Sequence, residues 1–270
     1  MSYQVSSASM IMMSVSLVAG IAMPVLLFLF FRFKFKCKAL PFWIGCATMF
    51  VFAFILEQIC HAAVFGVSER SALGQKILDN IWLYGLYGAL AAGVFEETGR
   101  FLAMKFVLKK YHDNDRNALM YGAGHGGIEA FMILVVMMIS NLATAFMINN
   151  GMMEAQLSAL SGEAYEQTYA AIQTLCETAP LMFGVGILER CIAVVAQIAF
   201  SVIVWCAAKK GGKLTFLYPV AIGLHFLLDF IAVIVNHYYG IAPTEVVSFV
   251  LAVGLALIAR TLYGHMHQSA

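Results

Sequence analysis

The stretch IWLYGLYGALAAGVFEETGRFLAMKFV, Ile81–Val107, decides the fold class. Its first fifteen residues carry no charge, and then two adjacent glutamates and an arginine appear inside the same apolar run. A helix rising about 1.5 Å per residue crosses the hydrocarbon core of a bilayer in about 20 mostly apolar residues. The run is long enough, and it carries Glu96, Glu97 and Arg100 into the membrane with it. The rest of the chain has the same character: of 270 residues, 62% are hydrophobic and 11% charged, and the mean hydropathy is +0.85. Soluble domains carry about 25% charged residues. Composition therefore excludes a soluble enzyme, a disordered chain and a disulfide-stapled secreted module. A net charge of +1 lacks the basic excess that a nucleic-acid partner requires.

Working outward, seven stretches read as spans: Met10–Phe31, Leu40–Phe65, Ile81–Val107, Ala118–Ile148, Pro180–Ala208, Phe216–Asn236 and Thr244–Tyr263. Barrel strands are excluded, because they run about 9–11 residues with alternating polarity. The expected fold is an all-α, polytopic transmembrane helical bundle: one integral membrane domain over residues 1–270, multi-pass in the cell membrane. Pro41, Pro180 and Pro243 stand at span starts, where a missing N–H costs little; Pro24 and Pro219 fall inside spans and are expected to bend them. With the N-terminus outside and the C-terminus cytoplasmic, twelve Lys and Arg lie on the cytoplasmic side, and only Arg70 and Lys76 lie outside. The first span, whose flank Met1–Ser9 has no positive charge, reads as a retained anchor rather than a signal peptide. The connection 149–179 reads as short amphipathic helices on the outer face. The six cysteines form no CxxC pair and read as free thiols, with Cys46, Cys60, Cys191 and Cys206 buried in spans.

Ionisable groups inside spans cost about 2.5–3.5 kcal/mol each on insertion scales and mark a functional interior. Measured from the cytoplasmic helix ends, Glu96, Glu97, His125, Glu129, His225 and Asp229 fall roughly 11–20 Å deep, in one slab. Glu57, His61, Glu189 and Arg190 come out nearer the outer face and read as a separate, structural cluster. Arg100 is i+4 from Glu96 and i+3 from Glu97, so it reaches either carboxylate but not both equally. One glutamate is then neutralised, and the other is left as the reactive group. Glu129 and Asp229 each lie one turn beyond a histidine, His125 and His225, and share its helix face. Gly122, Gly124, Gly126 and Gly127 admit close approach by another backbone or by a substrate.

Taken together, the Glu96-Glu97-x-x-Arg100 element, the glycine-flanked His125 on the next span and His225-x-x-x-Asp229 resemble the glutamate-dependent intramembrane proteases. That superfamily includes the type II CAAX prenyl endopeptidases, the bacteriocin-processing proteins and the PrsW proteases; within it the chain resembles the YhfC-type branch. The resemblance covers a catalytic core of about 81–236. It implies that Glu96 activates water, that Glu97 and Arg100 support it, that His125 positions the water, and that His225 and Asp229 stabilise or orient the oxyanion. It implies no cofactor and no metal, and a membrane protein or lipidated peptide as substrate. The two residues between Glu97 and Arg100 match the PrsW spacing rather than the three typical of the prenyl endopeptidases. Asp229 stands where asparagine is common, and an ionised aspartate only accepts hydrogen bonds.

Two other readings stay open on the residues alone. His125, Glu129, His225, Asp229 and Glu96 are of the types zinc accepts, although the His-Glu-x-x-His signature is absent. Alternatively, Glu57, Glu96, Glu129, Glu189 and Asp229 form a proton or cation relay in a transporter.

Overall fold

The computed structural model describes residues 3–67 and 70–268. The first two residues of the Met1–Ser9 flank lie outside that range. Helix makes up 89% of the chain, and no strand occurs among the described residues. In chain order the elements are α1 (Ser7–Leu29), α2 (Leu40–Val51), α3 (Gln58–Phe65), α4 (Ala72–Leu78), α5 (Ile81–Leu102), α6 (Arg116–Asn149), α7 (Met152–Ser158), α8 (Gly162–Glu177), α9 (Pro180–Lys210), α10 (Leu217–Tyr239) and α11 (Ile241–Gln268). Wider π-helical turns continue α1 (Phe30–Lys34), join α2 to α3 (Phe52–Glu57) and continue α5 (Ala103–Val107).

Among the described residues six helices are long and apolar enough to cross a membrane, Leu40–Phe65 counting as one unit. A seventh comes from α4 and α5 taken together, which bend by 107° at a short break. Local chemistry sets that break. Ser71 caps α4 by accepting from the Gly74 N–H at 2.8 Å, and Asn80 caps α5 by accepting from the Trp82 and Leu83 N–H groups at 2.9 and 3.3 Å. Pro219 is the third residue of α10 rather than a mid-span kink, so its missing N–H falls among groups that have no helical partner anyway. Large side chains such as Ile11, Trp43, Phe106 and Leu181 stay exposed along the helices, as a lipid-facing surface requires. The chain is a multi-pass membrane protein.

The chain divides into two compact units, Met1–Met23 with Ala130–Arg190, and Pro24–Glu129 with Cys191–Ala270. In the first, α7 and α8 bury Met153, Ile172 and Leu175 among Met13, Met138 and Phe183, so the connection 149–179 is amphipathic helix as expected. The six cysteines are free; Cys191, expected to be buried, is exposed on α9. The second unit holds every side chain of the slab. Its core gathers Met104, Leu108, Tyr121, Phe200, Ile203 and Trp205. Two glycines let α2 and α6 touch backbone to backbone: a Cβ on Gly124 would lie 2.0 Å from the Phe42 carbonyl oxygen, and one on Gly45 would lie 2.3 Å from that of Tyr121. The close approach seats His125 in a fully buried position.

Candidate active site

Four helices of the second unit supply the polar groups: α5 gives Glu96, Glu97 and Arg100, α6 gives His125 and Glu129, α9 gives Gln197 and Ser201, and α10 gives His225 and Asp229. Close packing of α5 on α10 sets the register. A Cβ on Gly93 would sit 3.0 Å from the Ile222 carbonyl, Thr98 and Tyr218 share a 2.7 Å hydrogen bond, and Phe101 stacks on Tyr218 with centroids 4.6 Å apart.

Arg100 is fully buried and organises the cluster. Its Nε lies 3.1 Å from Glu97 Oε2, whereas a terminal nitrogen lies 3.9 Å from Glu96 Oε2, so the guanidinium holds Glu97 more closely. The other terminal nitrogen donates to the Gln197 backbone carbonyl at 2.7 Å and to Ser201 Oγ at 2.6 Å, and the first also donates to the Gln197 side-chain oxygen. A buried charge is tolerated only with this kind of complement of partners. Phe200 lies under both the guanidinium (6.0 Å to the ring centroid) and the His225 ring (4.8 Å, interplanar angle 9°).

Each glutamate meets a different histidine. Glu97, fully buried, accepts from His225 Nδ1 at 2.8 Å; Glu96 accepts from His125 Nε2 at 3.1 Å. The second nitrogen of His225 faces Asp229 Oδ2 at 3.4 Å. Asp229, with a side chain 32% exposed, is the open edge of the cluster. His125 and Glu129 share a face of α6, but tertiary partners win over that spacing: His125 turns to Glu96, and Glu129 accepts from Gln197 Nε2 at 2.8 Å.

Two further side chains join this cluster. Gln197 touches Glu96, Glu129 and Arg100 at once, yet a search confined to ionisable groups passes over it; its signal is a lone amide in the apolar run AVVAQIAFSVIVW. Glu57 also belongs with the site rather than with Glu189 and Arg190. It is buried, pairs with His61 Nε2 at 3.3 Å, and interacts electrostatically with Glu96, His225 and Asp229. Glu57 ends the π turn Phe52–Glu57, a form of helix that is found frequently at functional sites. Glu189 and Arg190, in the first unit, pair with each other at 2.5 Å.

The metal alternative can be tested on the donor set. Zinc needs three or four donors converging at about 2.0–2.3 Å. Among the described residues no three His, Cys, Asp or Glu side chains converge in that way. His125 Nε2 and Glu96 Oε2 face each other, both His225 nitrogens face carboxylates, and a guanidinium already supplies a cation beside Glu96 and Glu97. The donor set does not fit a metal ion.

The family model described as YhfC intramembrane metalloprotease matches residues 19–251, a range that contains every residue of the site. A Bacillus subtilis (strain 168) protein named "Uncharacterized membrane protein YhfC" is 37% identical over 193 residues, which cover 72% of each chain. No solved structure matches. With most of its length matched by the model, and a relative at this identity, the chain belongs to the YhfC intramembrane metalloprotease family.

Proposed function

We propose that this chain is an intramembrane endopeptidase in which Glu96 activates the water that attacks a peptide bond. The observation that carries the reading is the arrangement on α5: two adjacent buried carboxylates, each bonded to a histidine from a different helix, with Arg100 held closer to one than to the other. Glu97 is held on one oxygen by His225 and on the other by the Arg100 guanidinium, which makes it a positioning residue. Glu96 keeps capacity to take a proton.

In the proposed step Glu96 takes one proton from water as the hydroxyl adds to the carbonyl carbon. The oxyanion forms beside His225, whose Nε2–H turns to it from Asp229 Oδ2, 3.4 Å away, while Glu97 holds the imidazole at Nδ1. Collapse breaks the C–N bond, the departing nitrogen takes the proton from Glu96, and the new acid passes its own proton to the amine. The products are a carboxylate and an ammonium, and Glu96 is restored. His125 holds Glu96 in place. A general base contributes about 10²–10⁴-fold and an oxyanion donor about 10²–10³-fold.

The family description includes a metal, but the donor set of this chain does not fit one, and every step above uses side chains of the chain itself. The excess of Lys and Arg in alternate connections supports an N-terminus outside, a C-terminus in the cytoplasm and a site in the cytoplasmic half of the bilayer. The substrate class that follows is a membrane protein or a lipidated peptide that reaches the site from within the membrane. The test compares membrane-protein fragments in cells producing the natural chain and Glu96→Gln at equal levels. Fragments are expected to be present in the first, absent in the second, and unaffected when purified protein is treated with a chelator. Loss of cleavage on chelation, restored by zinc, would overturn the metal-free mechanism.

A further inference from the structure

Glu96 has two oxygens, and their surroundings differ. Oε2 accepts from His125 Nε2 at 3.1 Å and from Gln197 Nε2 at 2.9 Å, and faces the Arg100 guanidinium at 3.9 Å. All three of those side chains are buried. Oε1 has no hydrogen-bond partner among the described residues, and it is not among the buried, unpartnered polar atoms. The small exposure that Glu96 retains, 9% of its side chain, therefore includes Oε1.

Gln197 is fixed in the orientation this requires. Its side-chain oxygen accepts from Arg100, so its NH2 group points the other way, and its two N–H bonds go to Glu96 and to Glu129. Its backbone carbonyl accepts from Arg100 as well. An amide offers two donors and one carbonyl, and here each has a charged partner. An amide in a membrane span is retained at a cost unless it is satisfied in this way. Since the Gln197 amide and the guanidinium can only donate, Oε2 is an acceptor, and the hydrogen between it and His125 sits on Nε2.

We propose that Gln197 is a positioning residue that, with His125, ties down Oε2 of Glu96 and leaves Oε1 as the atom that takes the proton from water. The inference deepens the protease reading and rests on it for its catalytic part. The geometric part stands alone: a carboxylate with donors on one oxygen has two unequal C–O bonds.

The experiment uses the full-length protein in liposomes, with Gln197→Met and Gln197→Glu. Both keep the approximate volume and remove the NH2 group, Gln197→Met leaves no donor, and Gln197→Glu keeps an acceptor for Arg100. The first readout needs no substrate. Infrared carboxylate bands that disappear in Glu96→Gln belong to Glu96, and the gap between its two stretching bands should narrow in either Gln197 variant. The second readout is cleavage of a peptide spanning a site found in the fragment comparison. There kcat per folded molecule should fall about 10²-fold with KM little changed, the scale expected when a reacting group is misplaced by about 1 Å. Unchanged Glu96 bands, or a kcat within about twofold of the natural chain in a folded variant, would overturn the proposal. A band shift in a chain that cleaves nothing would uphold the Gln197 geometry and reject the protease reading, so the two failures are distinct.

Discussion

Two buried acid clusters in the second unit use nearly the same residue types to opposite ends. At the span ends, Asp115 accepts from Trp205 Nε1 at 2.8 Å and from Lys209 Nζ at 2.7 Å, while His112 packs edge-on against Trp205 and donates from Nε2 to the Met104 carbonyl at 3.0 Å. That carboxylate has an ammonium of its own. Around Arg100, by contrast, Glu96, Glu97 and Asp229 share one guanidinium and two imidazoles, with Glu57 and Glu129 close by. A matched cluster is complete as it stands and holds helix ends together. A cluster with more acid than fixed cation is expensive to bury, and it keeps an oxygen available for a proton. The difference separates a structural polar site from a chemical one better than depth does.

The sharpest way to break the comparison is to remove the shared cation. Arg100→Met strands two buried carboxylates, and a buried pair broken from one side costs about 3–5 kcal/mol; unfolding in detergent should show most of the protein lost or its melting temperature sharply lowered. An Arg100→Met variant as stable as the natural chain would mean that the acids are not held by the guanidinium. Asp115→Asn comes next. It weakens hydrogen bonds to a charged acceptor, at about 1.5–3 kcal/mol, and should lower the melting temperature while the cleavage rate per folded molecule is unchanged. A catalytic loss there would erase the distinction between the clusters.

The smallest effect sharpens the matched side. Burial, with Lys209 and Lys109 nearby, holds the His112 imidazole below its ordinary range, while the Met104 carbonyl and Asp115 oppose the shift. A depressed imidazole means that the unfolded chain binds the proton more readily. The stability it contributes is present above about pH 6.5 and is lost as pH falls. Melting temperature measured from pH 7.5 to 5 should decline less steeply in His112→Gln than in the natural chain. Parallel curves would remove His112 from the account.

Much of this was legible in the residues, for physical reasons. Hydropathy located the six helices long and apolar enough to cross a membrane among the described residues, because a bilayer imposes length and apolarity together; the helices overrun the expected bounds at several ends, and at Lys34 and Lys210 long basic side chains carry a helix past the apolar run. Glu96, Glu97, His125 and His225 could be grouped because regular α-helices make depth proportional to residue number. Glu57, counted toward the outer face, interacts with Glu96, His225 and Asp229, which counting along one helix does not encode. Gln197 stayed invisible because an amide carries no charge to mark it, although its cost inside a membrane is of the same kind. The choice of Glu96 over Glu129 as the partner of His125 depends on tertiary contact, which helical spacing does not encode.

The most direct test of the account is the abundance of membrane-protein fragments in cells that carry this chain as their sole copy, compared with cells carrying Glu96→Gln. The site predicts fragments that vanish in the variant while its folded amount in the membrane stays equal. The same fragments at the same abundance in both would contradict it.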